Sequence, residues 1–480
     1  MNKLRLFLEN FLVYGLGGIV SRIIPLFMVP IVTRLMPNST YYGLSDMSQT
    51  IVSLASAIAV MGMYDAMYRM FFEKDSIQFK ETVCSTTVLF TFGTSIVVFI
   101  AMLLGRNWIA SFFFKDTQYT FLVYLTAIST LVGATNTIIS APTRMQNKRK
   151  VFLVTNTVSP LISYAISIPL LLKGYYVIAL PLAACVSSLT LEIAFGIMNW
   201  KWFKAKLFDA ELLKDLLKIA IPLTPNFLIY WIFNSSDRVM ITRLIGLGES
   251  GVYSVGAKLG MASQLIYTAF AGGWQFFAFS TMKEDNQVKN NSKVFEYLGC
   301  ISFAATMFIC ALSRPIYALL FPVEYHRAFI VAPYLFLAPL LQMLFQVACN
   351  QFLVIKKTWP NMVILSIGAF VNVVLNLLLI PRLGIEGASI ATMIGYVISD
   401  IVCVIVLKKM KLITFSRQFI MVVLISACAF VVWRLFLLQI SWPISVLFAV
   451  MVTLIIMWLY RDELSILFGM VKKNNAKKYH

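Results

Sequence analysis

The sequence predicts an all-α polytopic membrane protein of about fourteen transmembrane helices, built as two repeated six-helix bundles with two C-terminal helices appended. Three observations carry this. Apolar residues make up 60% of the chain and charged residues 13%, where soluble domains run near 45–50% and 25%. Apolar runs of about 20 residues, long enough to cross the hydrocarbon core, recur from end to end. One stretch is repeated: IVTRLMPNSTYYGLSDMSQ at Ile31–Gln49 returns as MITRLIGLGESGVYSVGAK at Met240–Lys258, each time joining two apolar segments through a short polar turn. The runs are about twice as long as barrel strands and do not alternate polar with apolar, which argues against β structure.

Residues 1–200 carry six runs, centred near Ile19, Leu54, Ser95, Ile128, Ile162 and Ala184, and form the first bundle. The first run continues for a full span without a small-residue cleavage site, so it is expected to stay as the first helix. Residues 201–218 are a linker in which Phe203, Leu207, Leu212 and Leu216 recur at helical spacing with lysines opposite. That pattern predicts an amphipathic helix in the headgroup plane, strapping the bundles together. Residues 219–408 carry six more runs, centred near Leu228, Leu265, Ala305, Leu341, Val371 and Met393. Arg34 matches Arg243 at a displacement of 209 residues, and KRKVFLVTN from Lys148 matches KKTWPNMVI from Lys356 at 208. Residues 409–464 add two runs centred near Leu424 and Val452, and 465–480 are a basic tail, expected to be disordered from Lys472 to Lys478. Pro25 and Pro30 in the first helix, and Pro222 and Pro225 in the seventh, remove backbone donors where bending would serve motion or packing. Two such repeats are the usual architecture of secondary transporters, with a substrate site between rocking halves.

Lysine and arginine crowd into the termini and the even-numbered loops, which by the positive-inside rule places both termini in the cytoplasm of a plasma or inner membrane. The net charge of +19 is spread over many membrane-flanking stretches, so anionic lipids rather than nucleic acid are the expected counter-ions. Seven cysteines stand singly, none at metal-ligand spacing, and are expected to pack as small apolar residues. The two histidines, His326 and His480, offer no credible catalytic pair or metal centre, so no cofactor and no enzymatic site is expected.

Three further stretches carry a family resemblance: TRLMPNSTYYGLSDMSQTIVSLASAIAVMGMYDAMYRMFFE, NSSDRVMITRLIGLGESGVYSVGAKLG and NVVLNLLLIPRLGIEGASIATMIGYVISD. Over Leu4 to Leu407 the chain resembles the polysaccharide transporter branch of the multidrug/oligosaccharidyl-lipid/polysaccharide exporter superfamily. The most specific piece is SSDRVMITRLIGLGESGVYS, with its spacing of Asp-Arg, Arg, Gly and Tyr. The resemblance implies a flippase that moves an undecaprenyl-diphosphate-linked oligosaccharide to the outer leaflet, for capsule, O-antigen or a similar polymer, by alternating access. It also implies polymerase and glycosyltransferase partners of the same pathway.

An ionisable group at membrane depth is costly unless it faces a water-filled cavity or a partner, and is a functional candidate by default. Arg22, Arg238 and Lys258 are expected to line a cationic cavity between the bundles and bind the diphosphate. In the family, arginines placed like Arg22 line such a cavity. Asp237 has two open readings: a structural ion pair with Lys258, or a charge partner within the site. Glu192 and Asp400 match across the repeat and are candidates for proton or sodium coupling, for charge partners of the cavity's bases, or for matched interfacial polar residues. Arg34 and Arg243, at matching outer helix ends, and Arg434 are expected to anchor or snorkel at the interface.

Two rival classes stand beside the flippase. A multidrug/cation antiporter of the same superfamily shares the duplication but usually stops at twelve helices, whereas appended helices suit a lipid tail. A polytopic cell-envelope enzyme would need a large outer loop with catalytic polar groups, and the outer loops around 106–120 and 314–327 are short.

Overall fold

The computed structural model describes residues 24–465 apart from 147, 265, 268–269, 271–273, 275–277, 279–285, 358, 439 and 464. The described residues are helical, and no strand occurs among them. Eleven helices are long and apolar enough to span a membrane, and a twelfth span forms if a bent pair counts as one. Each coincides with one of the expected runs. The runs centred near Ile19 and Leu265 extend over residues outside the description, as does the tail after residue 465.

The chain divides into two compact units, one of residues up to 258 with 321–325 and 365–395, and one of 259–320, 326–364 and 396 onward. The first unit therefore holds the first bundle and part of the second copy of the repeat.

In the first unit, α1 (Ile24–Leu35) is followed by α2 (Ser39–Val60), capped by the Asn38 side chain, which accepts from Thr40 N. α2 breaks at Met61 and Gly62, and α3 (Met63–Phe71) leaves at 47°. The break is a packing device: Gly62 has φ +75°, and a Cβ there would lie 2.6 Å from the Ala220 carbonyl oxygen. Next along the chain come α4 (Ile77–Leu104), α5 (Arg106–Phe113), α6 (Thr120–Ile139), α7 (Ala141–Met145), α8 (Arg149–Leu172) and α9 (Ala179–Asn199). α6 packs against α2, α4 and α9, and α8 against α9. Leu44, Met47 and Ile51 meet Leu122, Val123 and Ala127 in one core.

The linker departs from expectation. Residues 203 and 204 are extended between short 3-10 turns, and the helix begins only at Ala210, where Asp209 accepts from Glu211 N and Leu212 N. Side chains of α4 hold the extended stretch: Ser85 Oγ accepts from Lys204 N at 2.9 Å, Thr86 Oγ1 accepts from Asp209 N at 3.1 Å, and Lys204 pairs with Glu81 at 2.7 Å. Leu212 and Leu216, expected in the headgroup plane, are buried against Met63, Met67 and Phe71. An apolar stripe next to a protein groove is better covered there than by headgroups. The helix α10 (Ala210–Trp231) carries Pro222 and Pro225 inside it and runs through a π turn at Ile232–Ser236 into α11 (Asp237–Leu244) and then α12 (Leu247–Gly260).

In the second unit, α13 (Gln287–Leu320) packs against α14 (Ala332–Val354) and against the two appended helices, α17 (Arg417–Val432) and α18 (Trp442–Leu459). α15 (Trp359–Leu383) and α16 (Ile385–Lys409) contribute residues to both units. Buried Glu296 of α13 ties the appended helices down, accepting from Ser416 N at 2.6 Å, Ser416 Oγ at 2.9 Å and Tyr460 Oη at 3.1 Å.

Candidate functional site

The π turn before α11 sets the site. A π turn inserts an extra residue into the helix and re-aims the side chains beyond it, here the pair Asp237 and Arg238. Arg238 is turned toward α2, where its Nε lies 2.9 Å from Asp46 Oδ2, an ion pair by distance without the alignment of a hydrogen bond. Its Nη1 donates to the Asn234 carbonyl one turn back. Asp46 Oδ2 also accepts from Ser254 Oγ of α12 at 2.5 Å. Half-buried Lys258, one turn beyond Ser254, is attracted by Asp46 and repelled by Arg238, and makes no ion pair within 4 Å among the described residues. α2, α11 and α12 thus bring two cations and one carboxylate together.

The expected pairing of Asp237 with Lys258 does not form. Asp237 is buried and accepts from the Arg238 backbone N–H at 2.8 Å and from the Tyr253 hydroxyl. The reason is register: Tyr253 lies five residues before Lys258 on α12, about 7.5 Å along the axis. Behind Tyr253 a buried polar group continues, with Asn372 Nδ2 donating to Thr392 Oγ1 at 3.1 Å and Asn376 Nδ2 donating to Asn372 Oδ1 at 3.3 Å.

Asp46 is the residue sequence reasoning missed. It is the one acid of α2, and the rule that flagged the intramembrane bases applies to it equally. It escaped notice because it comes soon after the polar turn of the repeat.

Arg22 lies outside the described residues. Arg243 stacks its guanidinium over Phe112 at 4.9 Å and donates to the carbonyls of Ser111 and Phe112, so it is held by α5. Glu192 on α9 is half-buried and accepts from Thr135 Oγ1 of α6 at 2.5 Å. Asp400 on α16, in the second unit, is buried, and neither of its oxygens has a hydrogen-bond partner among the described residues. Also in that unit, Cys349 and Cys403 lie with sulfurs 3.5 Å apart. No group of three or more His, Cys, Asp or Glu side chains able to hold a metal occurs among the described residues.

Multiple helices long and apolar enough to cross a bilayer, with a cluster of charges among them, define a polytopic membrane protein. More narrowly, the chain belongs to the polysaccharide biosynthesis protein family, whose model matches residues 7–283. Among solved structures it is similar to the lipid II flippase MurJ in an inward closed conformation, with TM-score 0.74 and 17% identity over 94% of this chain and 100% of that one. It is also similar to an inward-facing multidrug resistance MATE family transporter of the MOP superfamily, with TM-score 0.58 and 14% identity over 82% and 98%. A MATE structure in complex with MaL6 gives TM-score 0.60 and 12% identity over 85% and 95%. At these identities the likeness is one of fold. No curated relative matches the chain by sequence.

Proposed function

We propose that the protein is a flippase for polyprenyl-diphosphate-linked oligosaccharide repeat units, working by alternating access in the cell membrane with both termini cytoplasmic. The observation that carries this is the Arg238, Lys258 and Asp46 cluster among apolar helices in a chain of the polysaccharide biosynthesis family. A diphosphate carries about two negative charges, which Arg matches by bidentate hydrogen bonds and Lys as a point charge. Asp46 holds Arg238 while the site is empty of substrate, and the incoming diphosphate displaces it. Arg22 is the third cation of the same reading. The outer face of α18 offers an apolar groove lined by Leu447, Met451, Leu454 and Trp458, which suits a polyprenyl tail. Transport draws on a proton or sodium gradient through Glu192, Asp400 or Asp237, and polymerase and glycosyltransferases of the pathway are the functional partners.

The test is polymer export by single Ala variants of Arg22, Arg238 and Lys258, at low expression and with membrane insertion checked. Loss of one buried charge-assisted contact costs about 1.5–3 kcal/mol, or roughly ten- to hundredfold in affinity. Parental export by all three variants sinks the assignment. The shared fold with MATE transporters makes a drug/cation antiporter the second reading. Drug efflux that survives while lipid-linked sugar binding is undetectable favours it. An enzymatic role is the third, and product formation from substrate in a sealed vesicle separates it.

A further inference from the structure

The first unit contains a polar cavity that the cation cluster does not use. It has a volume of about 170 Å³ and opens between α6, α7, α8 and α9. At about 30 Å³ per water in the liquid, that is room for about five waters, the bulk of a single sugar ring. Its walls differ in chemistry. Leu191 and Phe195, one turn apart on α9, make one wall apolar. Asn136 and Ser140, from α6 and the turn after it, and Thr155, Asn156 and Ser159 from α8 make the others polar. Polar side chains on membrane helices are retained where they line water or a ligand.

The hydroxyls are oriented by bonds they already make. Ser140 Oγ donates to the Thr137 carbonyl at 3.3 Å, and Thr155 Oγ1 to the Val151 carbonyl at 2.9 Å. Ser187 Oγ donates to the Ser159 carbonyl at 2.8 Å, which leaves Ser159 Oγ to donate to Ser187 Oγ at 3.1 Å. A hydroxyl whose hydrogen is committed in this way still has lone pairs that accept. Asn136 Oδ1 is shielded from solvent and has no hydrogen-bond partner among the described residues. The cavity is thus rich in acceptors. Its charged lining residue, Arg144, is exposed, with Nη1 3.5 Å from the Tyr64 hydroxyl of α3, so that charge is solvated rather than enclosed.

We propose that this cavity holds one uncharged pyranose ring of a saccharide, its C–H face on Leu191 and Phe195 and its hydroxyls donating to Asn136, Ser140, Thr155 and Ser159. The proposal rests on the flippase reading for the class of its ligand, and adds where one ring is held and that the ring is neutral. A phosphate or carboxylate only accepts, and would meet acceptors in these walls. A pyranose brings several O–H donors on its edge and an apolar face for α9, and the asparagine amides can donate to its oxygens.

Saturation-transfer NMR tests this on the full-length protein in phospholipid nanodiscs, with no glycoside detergent present. The probes are the methyl pyranosides of glucose, galactose, mannose and N-acetylglucosamine. Transfer to the ring protons of at least one is expected. It should fall at least tenfold in Ser140→Leu and Asn156→Leu, which fill the cavity, and about two- to tenfold in Asn136→Leu, which removes one acceptor at similar size. Val154→Leu, on the exposed side of α8, should leave it unchanged, and inorganic phosphate should not compete. Thermal unfolding shows whether the filled variants are folded; if they are not, Asn136→Leu and the phosphate competition decide. No transfer from any of the four probes, transfer indifferent to the lining substitutions, or displacement by inorganic phosphate overturns the proposal. Polymer export by the Arg238 and Lys258 variants is read separately, so a failure here is distinct from a failure of the flippase reading.

Discussion

Asp46 and Ser254, 208 residues apart in the chain, are hydrogen-bonded at 2.5 Å and hold equivalent places in the two copies of the repeat. Gly43 and Gly251 stand at the same separation, and each lies against the backbone of the other's helix: a Cβ on Gly43 would meet Leu247 O at 2.1 Å, and one on Gly251 would meet Ser39 O at 2.1 Å. α2 and α12 therefore cross about a local two-fold relation, as small residues allow helices in lipid to do. The match at 209 residues holds for the helix before the turn and becomes 208 after it. Three residues separate α1 from α2, and two separate α11 from α12.

The crossing leads to a first prediction. Gly43→Ala and Gly251→Ala each push a methyl group into backbone that cannot turn aside, and each should lower stability by about 1–3 kcal/mol. Gly93→Ala, with nothing within 4 Å of the added Cβ, should leave stability unchanged or raise it by about 0.5–1 kcal/mol. Thermal unfolding in detergent measures both, and equal effects at the three positions contradict the crossing.

The second concerns the ion pair. Asp46→Ala strands Arg238, whose side chain is 12% exposed, and breaking a buried pair by removing one partner costs about 3–5 kcal/mol. Removing both partners should cost less than the two single changes together. A double-mutant cycle on stability measures that coupling, and additivity within error removes the pair from the account.

A third comes from the appended helices. Glu296→Gln weakens the acceptor shared by Ser416 and Tyr460 and loosens Lys293, 3.6 Å away. Each contact to the charged carboxylate is worth about 1.5–3 kcal/mol, so limited proteolysis should cut the Leu412–Phe415 connection faster in the variant than in the parent. Unchanged cleavage argues against the tie.

The fourth is a pH dependence at the same tie. Burial, first of all, pushes the Tyr460 hydroxyl up from its ordinary value, so folding favours the protonated, donating form. The contribution is fully present below about pH 10, where a free tyrosine ionises, and is lost as pH rises beyond it. Tyr460→Phe should flatten the alkaline limb of the stability profile.

Fifth, Glu192→Gln combined with Asp400→Asn should make export insensitive to collapse of the ion gradients in a normally inserted protein. Parental export with the parental response excludes both acids from coupling.

Composition, run length and the repeat were enough to determine that this chain lives in lipid, that it is helical, and where the described spans fall, because crossing a bilayer requires about 20 apolar residues wherever it happens. The family was legible too, since the turn of the repeat keeps its spacing of Asp237, Arg238, Arg243 and Gly251 in a background of interchangeable apolar residues. Which charges meet was decided only by the tertiary structure. Sequence proximity suggested Asp237 for Lys258, but the π turn sends Asp237 to Tyr253 and Arg238 to Asp46, a residue from the other copy of the repeat. The linker stripe likewise looked suited to headgroups until folding placed Met63 and Met67 against it. Periodicity specifies that a face must be covered or a charge compensated. The partner is chosen by helix crossings, and those depend on backbone approaches such as Gly43 on Leu247 that have no signature in local sequence.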